Sequence, residues 1–356
     1  MNANERAERL KRTLIVPGEP ISRAIRHLDD AGTGVLLICG EDGRLAGVLT
    51  DGDIRRAMLR GIPFDRTCDS IASLTPTVAP PDVSAVEALR RMNEADVNQL
   101  PLVDPQTGKV VDLLLRRDLM TEEELSVAAV VMAGGFGTRL RPLTEDTPKP
   151  MLCVGDRPLL ERTIEQLRNA GIRHVNVTTH YLPEKITDHF GDGRAYGVEI
   201  EYVTEDQPLG TAGGLALVRD SREPLLVING DILASVDFRD LARHHRKEGA
   251  DATVCVRRHQ VSVPYGVVEC DGARLMGVRE KPCVDVLVNA GIYLLEPSVL
   301  DYIPSGERFD MTDLLQRLLA AGRPVATYPI LGYWLDVGRH EDFEQAQQDV
   351  KKAGQP

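Results

Sequence analysis

The sequence predicts an α/β protein in two parts: a small α+β pair of units, then a mostly parallel sheet flanked by helices. Three observations carry this. A helix–strand–turn–strand–helix pattern occurs twice in the first third, at a shift of 65 positions. A continuous apolar run, Ser126 to Met132, then feeds a glycine-rich turn, as a buried parallel strand would. Beyond it, strand-like and helix-like segments alternate at short intervals, the pattern of parallel strands joined by crossover helices.

Composition narrows the function classes. The 356 residues are 42% hydrophobic and 27% charged, which supports buried cores and excludes general disorder. No apolar run approaches the roughly 20 residues of a membrane helix, and the charged N-terminal stretch lacks a signal-peptide core. A cytoplasmic protein with no membrane partner is expected. The net charge of -12 has no basic stripe to follow a nucleic-acid backbone, so no nucleic-acid partner is expected either. The six cysteines are scattered without a C-x-x-C pair, which argues for reduced thiols and against a zinc site.

The repeat aligns Gly43 to Ile54 with Gly108 to Leu119. Each copy is preceded by an apolar strand, Val35 to Cys39 or Leu100 to Val103, and by an amphipathic helix, around Ser22 to Ala31 or Ser84 to Ala95, with Ser at a plausible N-cap. A unit this small buries little surface alone, so the two are expected to pack together. The pattern resembles a tandem pair of CBS domains over residues 1–125, about 8–66 and 67–124. The resemblance implies a regulatory purine nucleotide held by Thr50, at the end of the second strand, and Asp53, opening the next helix. A hydroxyl and helix-terminal amides suit a phosphate, and a carboxylate suits ribose hydroxyls. The second copy keeps Asp118 but has Leu115 in place of the hydroxyl. One nucleotide site, or a packing module with no ligand, both fit these residues.

From residue 126 onward the segments read in order. The Ser126–Met132 strand delivers Gly134, Gly135, Gly137, Thr138 and Arg139, and then Pro148-Lys149-Pro150. Leu140 stands at the third glycine position of G-x-G-x-x-G and no G-K-[ST] follows, so neither a dinucleotide fingerprint nor a Walker A loop is present. What remains is a turn whose bare amides can approach a phosphate chain, with two fixed cations beside it. Strands follow at Arg173 to Thr178, Val198 to Val203 and Leu225 to Ile228; helices follow at Leu159 to Ala170, Pro183 to Phe190 and Phe238 to Arg246. Sites in such sheets form at the carboxyl ends of strands.

Residues 126–356 resemble the sugar-1-phosphate nucleotidyltransferases. The resemblance rests on the glycine turn with Pro148-Lys149-Pro150, Pro208-Leu209-Gly210-Thr211-Ala212-Gly213, Asn229-Gly230-Asp231, Tyr265-Gly266, Glu280-Lys281-Pro282, Asn289-Ala290-Gly291 and Trp334-Leu335-Asp336-Val337-Gly338. It implies a Rossmann-like fold and attack of a sugar-1-phosphate oxygen on the α-phosphorus of a nucleoside triphosphate. Two anions must meet, so the catalysis is expected to be positioning and charge neutralisation. By the same resemblance Arg139 meets the triphosphate, Lys149 the α-phosphate, and Asp231 and Asp336 hold Mg2+, in a two-ion site. Gly134, Gly135, Gly137, Thr138, Gln207, Gly210 and Thr211 frame the nucleotide. Gly266, Glu280, Lys281 and Asn289 hold the sugar phosphate. His180 and Tyr181 carry no assigned role.

The Gly210–Gly213 segment looks like that of the sugar guanylyltransferases, such as those acting on mannose-1-phosphate, so GTP is the expected donor. Thymidylyl or uridylyl transfer stays open, and so does the identity of the sugar. A catalytically silent, sugar-nucleotide-sensing subunit is the other reading, and retention of Arg139, Lys149, Asp231 and Asp336 argues against it. A homo-oligomer serving glycan or surface-polysaccharide synthesis is expected.

Overall fold

The computed structural model describes residues 3–119, 124–218 and 221–352. Two compact units divide at Glu123/Glu124.

In the first unit, the segment Leu14–Ile15 lies parallel to Val35–Cys39, which pairs antiparallel with Leu45–Thr50. The second copy contributes the antiparallel pair Gln99–Val103 and Val110–Leu115. The copies share one core: Leu113 and Leu115 pack with Val35, Leu37, Cys39 and Val48. This is how two units too small to stand alone bury a common surface. Ser84 caps its helix by accepting from the Glu87 amide at 3.2 Å. The expected cap at Ser22 is not formed. Pro20 stands at the N-cap two residues earlier and the helix begins at Ile21, where the Pro20 carbonyl accepts from the Arg23 and Ala24 amides at 2.9 and 3.0 Å.

The second unit is built on a seven-stranded sheet. Its strands are β1 (Ala128–Met132), β2 (His174–Thr179), β3 (Glu199–Thr204), β4 (Leu225–Asn229), β5 (Ala252–Ser262), β6 (Cys283–Leu295) and β7 (Val325–Pro329), in spatial order β3-β2-β1-β4-β6-β5-β7. All pairs are parallel except those made by β6. Period-two alternation puts both faces inside. Ala129, Val131, Leu226 and Ile228 pack against the helices Leu159–Asn169, Pro183–Phe190 and Phe238–Glu248. Ala128, Val130, Leu225 and Val227 pack beneath Met311–Ala320 and the turn Pro297–Tyr302.

Two short additions matter for the site. Ile232–Ala234 pairs antiparallel with Trp334–Asp336. Val337, fully buried with Val154, Leu159 and Ala346, anchors the end of that ribbon against the helix His340–Lys352. β5 and β6 also run out beyond the sheet as an exposed two-stranded extension, continued by the hairpin Val267–Asp271 with Arg274–Arg279.

Candidate active site

The carboxyl ends of β1 to β4 deliver the chemically rich segments to one edge of the sheet. After β1 the chain enters the glycine turn. Gly137 adopts φ +60°, and a Cβ there would stand 3.0 Å from the Thr144 side chain and 3.2 Å from Lys149 Cβ. The Thr144 hydroxyl donates to the Gly137 carbonyl at 2.9 Å, which closes the turn. Gly135 and Thr138 stay exposed, with open space around Gly135. Phe136 rests edge-on against His180 at 5.3 Å and tilted on Tyr181 at 5.5 Å. The Tyr181 hydroxyl donates to the Glu145 carbonyl at 2.7 Å. The two residues without an assigned role therefore brace the loops around the turn.

Lys149 begins a short 3-10 turn between prolines, and its Nζ donates to Asp231 Oδ2 at 2.5 Å. Asp231 follows β4 through Asn229 and Gly230. Gly230 has to be glycine, since a Cβ would lie 2.7 Å from the Met132 carbonyl oxygen. The ribbon brings the second carboxylate alongside: Ile232 faces Asp336, and the Val337 amide donates to the Asp231 carbonyl at 3.0 Å. Loss of water raises the Asp336 carboxyl above its ordinary range, although it keeps solvent access; the Asp231 charge adds to this, and Lys149 and Arg139 oppose it. Two carboxylates whose charges disfavour one another, beside fixed cations, are groups that could hold a divalent ion. Arg139, Lys149, Asp231 and Asp336 are thus brought into one electrostatic neighbourhood.

The remaining predicted residues fall into two groups. Gln207 donates to the Gly306 carbonyl at 3.0 Å, and the Thr211 amide donates to Asp310 Oδ1 at 3.1 Å. The Thr211 hydroxyl accepts from the Met311 amide at 2.9 Å. Gly210, at φ +80°, lies where a Cβ would be 2.6 Å from Asp310 Oδ1 and 2.8 Å from the Phe309 carbonyl oxygen. This segment is therefore locked onto the start of the Met311–Ala320 helix. Glu280 lies beside Gly266, 3.1 Å from a Cβ built there, and Lys281 holds the left-handed φ of +43°. A non-glycine residue is uncommon in this region, and Asp96 and Leu182 share it. Lys281 makes no ion pair among the described residues. Asn289 is tied inward instead, donating to the Tyr293 hydroxyl at 2.8 Å and accepting from the Gly291 amide at 3.0 Å.

Sequence reasoning missed Glu205. It is 6% exposed, and its Oε2 accepts from the Leu209 amide at 3.0 Å. The His180 Nδ1–H donates to its backbone carbonyl at 2.7 Å. Its position one residue past a strand end was the available signal.

Among the described residues no helix is long and apolar enough to cross a membrane. In the first unit, Thr50 and Asp53 form a capping box: the Asp53 amide donates to Thr50 Oγ1 at 3.2 Å, and the Thr50 amide donates to Asp53 Oδ2 at 2.8 Å. Arg56 pairs with the other Asp53 oxygen at 2.5 Å. In the second copy Leu115 cannot cap, and Asp118 is held by Arg9 at 2.5 Å.

Comparison with known proteins follows the same division. Two CBS domain matches cover residues 13–60 and 69–124. The chain is 40% identical over 238 residues to a mannose-1-phosphate guanylyltransferase of Mycobacterium tuberculosis, covering 65% of this chain and 66% of that protein. It is 34% identical over 239 residues to a UTP–glucose-1-phosphate uridylyltransferase of Synechocystis, covering 61% and 62%. The chain thus spans just under two thirds of the length of these relatives. The crystal structure of HddC from Yersinia pseudotuberculosis shares the fold, with a TM-score of 0.51 at 24% identity, over 64% of this chain and all of that one. With the Nucleotidyl transferase profile matching residues 128–353, the chain belongs to the nucleotidyl transferase family and carries a CBS pair ahead of that domain.

Proposed function

We propose that the protein transfers GMP from GTP to a sugar-1-phosphate, releasing pyrophosphate and a GDP-sugar for glycan synthesis. The observation that carries this reading is the Lys149–Asp231 pair set beside Asp336 at the strand ends. Arg139 and Lys149 neutralise the triphosphate, and Lys149 follows the charge that grows on the α-phosphoryl oxygens. Lys281 and Glu280 receive the sugar phosphate and its hydroxyls. No general base is required, because a phosphate nucleophile is already ionised.

Among the described residues no cluster of three or more His, Cys, Asp or Glu could hold a metal alone. Asp231 and Asp336 would therefore share Mg2+ with the substrate phosphates, and the ion would supply neutralisation of the charge between the two anions. Support for GTP comes from the Gly210–Gly213 segment and from the likeness to the mycobacterial mannose-1-phosphate guanylyltransferase. The CBS pair is proposed to hold one purine nucleotide at Thr50 and Asp53 and to contribute a contact between copies of the chain.

The test is pyrophosphate release with each of four NTPs against a panel of sugar-1-phosphates. GTP is expected to give the highest kcat/KM. A tenfold preference for UTP or dTTP, about 1.4 kcal/mol in transition-state binding, overturns the guanylyl reading while leaving nucleotidyl transfer intact.

A further inference from the structure

We infer that the exposed extension of β5 and β6 is an interface, and that it is covered by the same extension of a second copy of this chain, valine face against valine face.

Side chains directly opposite one another in an antiparallel pair share a face, and the faces alternate along each strand. Beyond the sheet, β5 and β6 set Val261 opposite Val284, His259 opposite Val286 and Arg257 opposite Val288. These side chains continue the face of β6 that carries Ala290, Ile292 and Leu294, which inside the sheet is packed against helices. Past Ala290 that cover stops among the described residues: Val261, Val284 and Val286 are 44%, 43% and 39% exposed. The opposite face holds Gln260, Ser262 and the Arg258–Asp285 ion pair. The extension is thus an amphipathic ribbon with its apolar side bare.

The hairpin that continues it adds to this surface. Val268 stands opposite Val278, Leu275 and Met276 lie near the turn, and all four are more than half exposed. Among the described residues, nine of the eighteen exposed large hydrophobic side chains fall between Val261 and Leu287, so they form a patch and not a scatter. The three valines and the four hairpin residues leave on the order of 600 Å² bare, the upper end for a monomer; a polar rim brings this close to the roughly 800 Å² that each partner gives to a specific interface.

Charge selects the occupant. Residues 257–288 hold five Lys or Arg and four Asp or Glu, which gives neither an anionic lipid surface nor a nucleic acid a field to follow. Arg257, at the base of the valine face, is already tied to the carbonyls of Ile330, Leu331 and Gly332. A charged partner therefore meets little counter-charge there. A second copy needs none. Its valines can interdigitate with these as the inner faces of two packed sheets do, and rims of mixed sign related by a two-fold axis avoid a block of like charge.

The test is analytical ultracentrifugation of the full chain over a dilution series. The unmodified protein is expected to associate. Val284→Lys/Val286→Lys is expected to halve the mass or to raise the dissociation constant by about tenfold or more. Gln260→Lys/Ser262→Lys puts two charges on the opposite face and is expected to associate like the unmodified protein. If the valine-to-lysine variant does not fold, Val284→Thr/Val286→Thr replaces it, because Thr keeps the branched shape and the strand preference. Its hydroxyls, buried against the partner, are expected to weaken association by about tenfold or more. A monomeric unmodified protein, unchanged association in the valine variants, or equal loss in the opposite-face variant overturns the inference. Flotation of a monomeric protein with phosphatidylcholine vesicles overturns it too, and gives the face to lipid.

Discussion

The Val337 amide donates to the Asp231 carbonyl at 3.0 Å, and this bond ties together the two chain segments of the second unit that carry Asp231 and Asp336. Val337 is fully buried with Val154 and Ala346, so the helix His340–Lys352 anchors the end of the strand that carries Asp336, and its Asp342 adds to the charge that raises the Asp336 carboxyl.

Asp231→Asn is expected to lower the turnover for pyrophosphate release by about 10²-fold or more, the scale of losing one preorganised electrostatic group. Asp336→Asn is expected to lose activity similarly while keeping or raising the melting temperature, since it relieves like-charge repulsion in the raised Asp336 carboxyl. Full turnover of either variant, or of the unmodified protein in chelator, counts against a two-carboxylate metal site.

Two glycine substitutions separate folding from ligand approach. Gly210→Ala forces a left-handed residue and an overlap with the Phe309 carbonyl, and is expected to cost about 1–3 kcal/mol of stability in urea titrations. Gly135→Ala meets nothing within 4 Å, so the melting temperature is expected to stay put. Its KM for the triphosphate is expected to rise severalfold if phosphates approach the bare amide there. An unchanged KM removes Gly135 from the nucleotide cradle.

Much of this site was legible because its parts sit at strand ends, where apolar runs stop and Gly, Asp and Lys begin. Asn229-Gly230-Asp231 and Trp334-Leu335-Asp336 announce themselves in that way. Glu205 did not, because a single acidic residue after a strand reads as a solvated loop charge; only three-dimensional packing between Gly134 and Gly214 buries it. Thr211 shows the same gap. Its hydroxyl serves the start of a helix some hundred residues further on, a contact no local pattern encodes. The exposed extension of β5 and β6 was also unread, since its alternation is half polar and no turn signal separates it from the sheet.

His245 gives a pH prediction. It is buried, its Nε2–H facing Glu296 Oε1 at 3.2 Å and its Nδ1 accepting from the Thr253 hydroxyl at 2.7 Å. Burial pushes its pKa below the ordinary 6.5, Glu296 and Asp251 work against that shift, and His244 adds to it. The unfolded chain therefore takes up the proton first as pH falls, so this stability is complete above about pH 6.5 and is lost as pH drops through the lower folded value. Urea midpoints followed by fluorescence of Trp334, the single tryptophan, are expected to fall between pH 7.5 and 5.5. The slope is expected to flatten in His245→Gln. An identical slope in the variant assigns the pH dependence to other groups.

The last prediction concerns the CBS pair. Thr50 and Asp53 already satisfy one another in a capping box, and Arg56 neutralises Asp53, so a nucleotide would have to exchange these bonds for its own. In the second copy Arg9 holds Asp118 from the N-terminal helix and also donates to the Leu113 carbonyl at 2.7 Å, and Leu115 offers no hydroxyl. One purine nucleotide per chain is therefore expected on calorimetric titration of the full protein with AMP, ATP, GMP and GTP. Asp53→Ala removes the capping-box carboxylate that holds the Thr50 amide as well as the ribose partner, so weaker binding alone would be ambiguous. Asp118→Ala supplies the control, because it too removes a paired carboxylate but leaves the proposed site intact. Binding lost in Asp53→Ala and kept in Asp118→Ala assigns the nucleotide to the first copy. A ligand there can alter catalysis only by binding the active and inactive arrangements unequally, and a coupling of about 1–3 kcal/mol would change substrate affinity roughly 5- to 150-fold. No heat with any of the four nucleotides leaves the pair as a packing module.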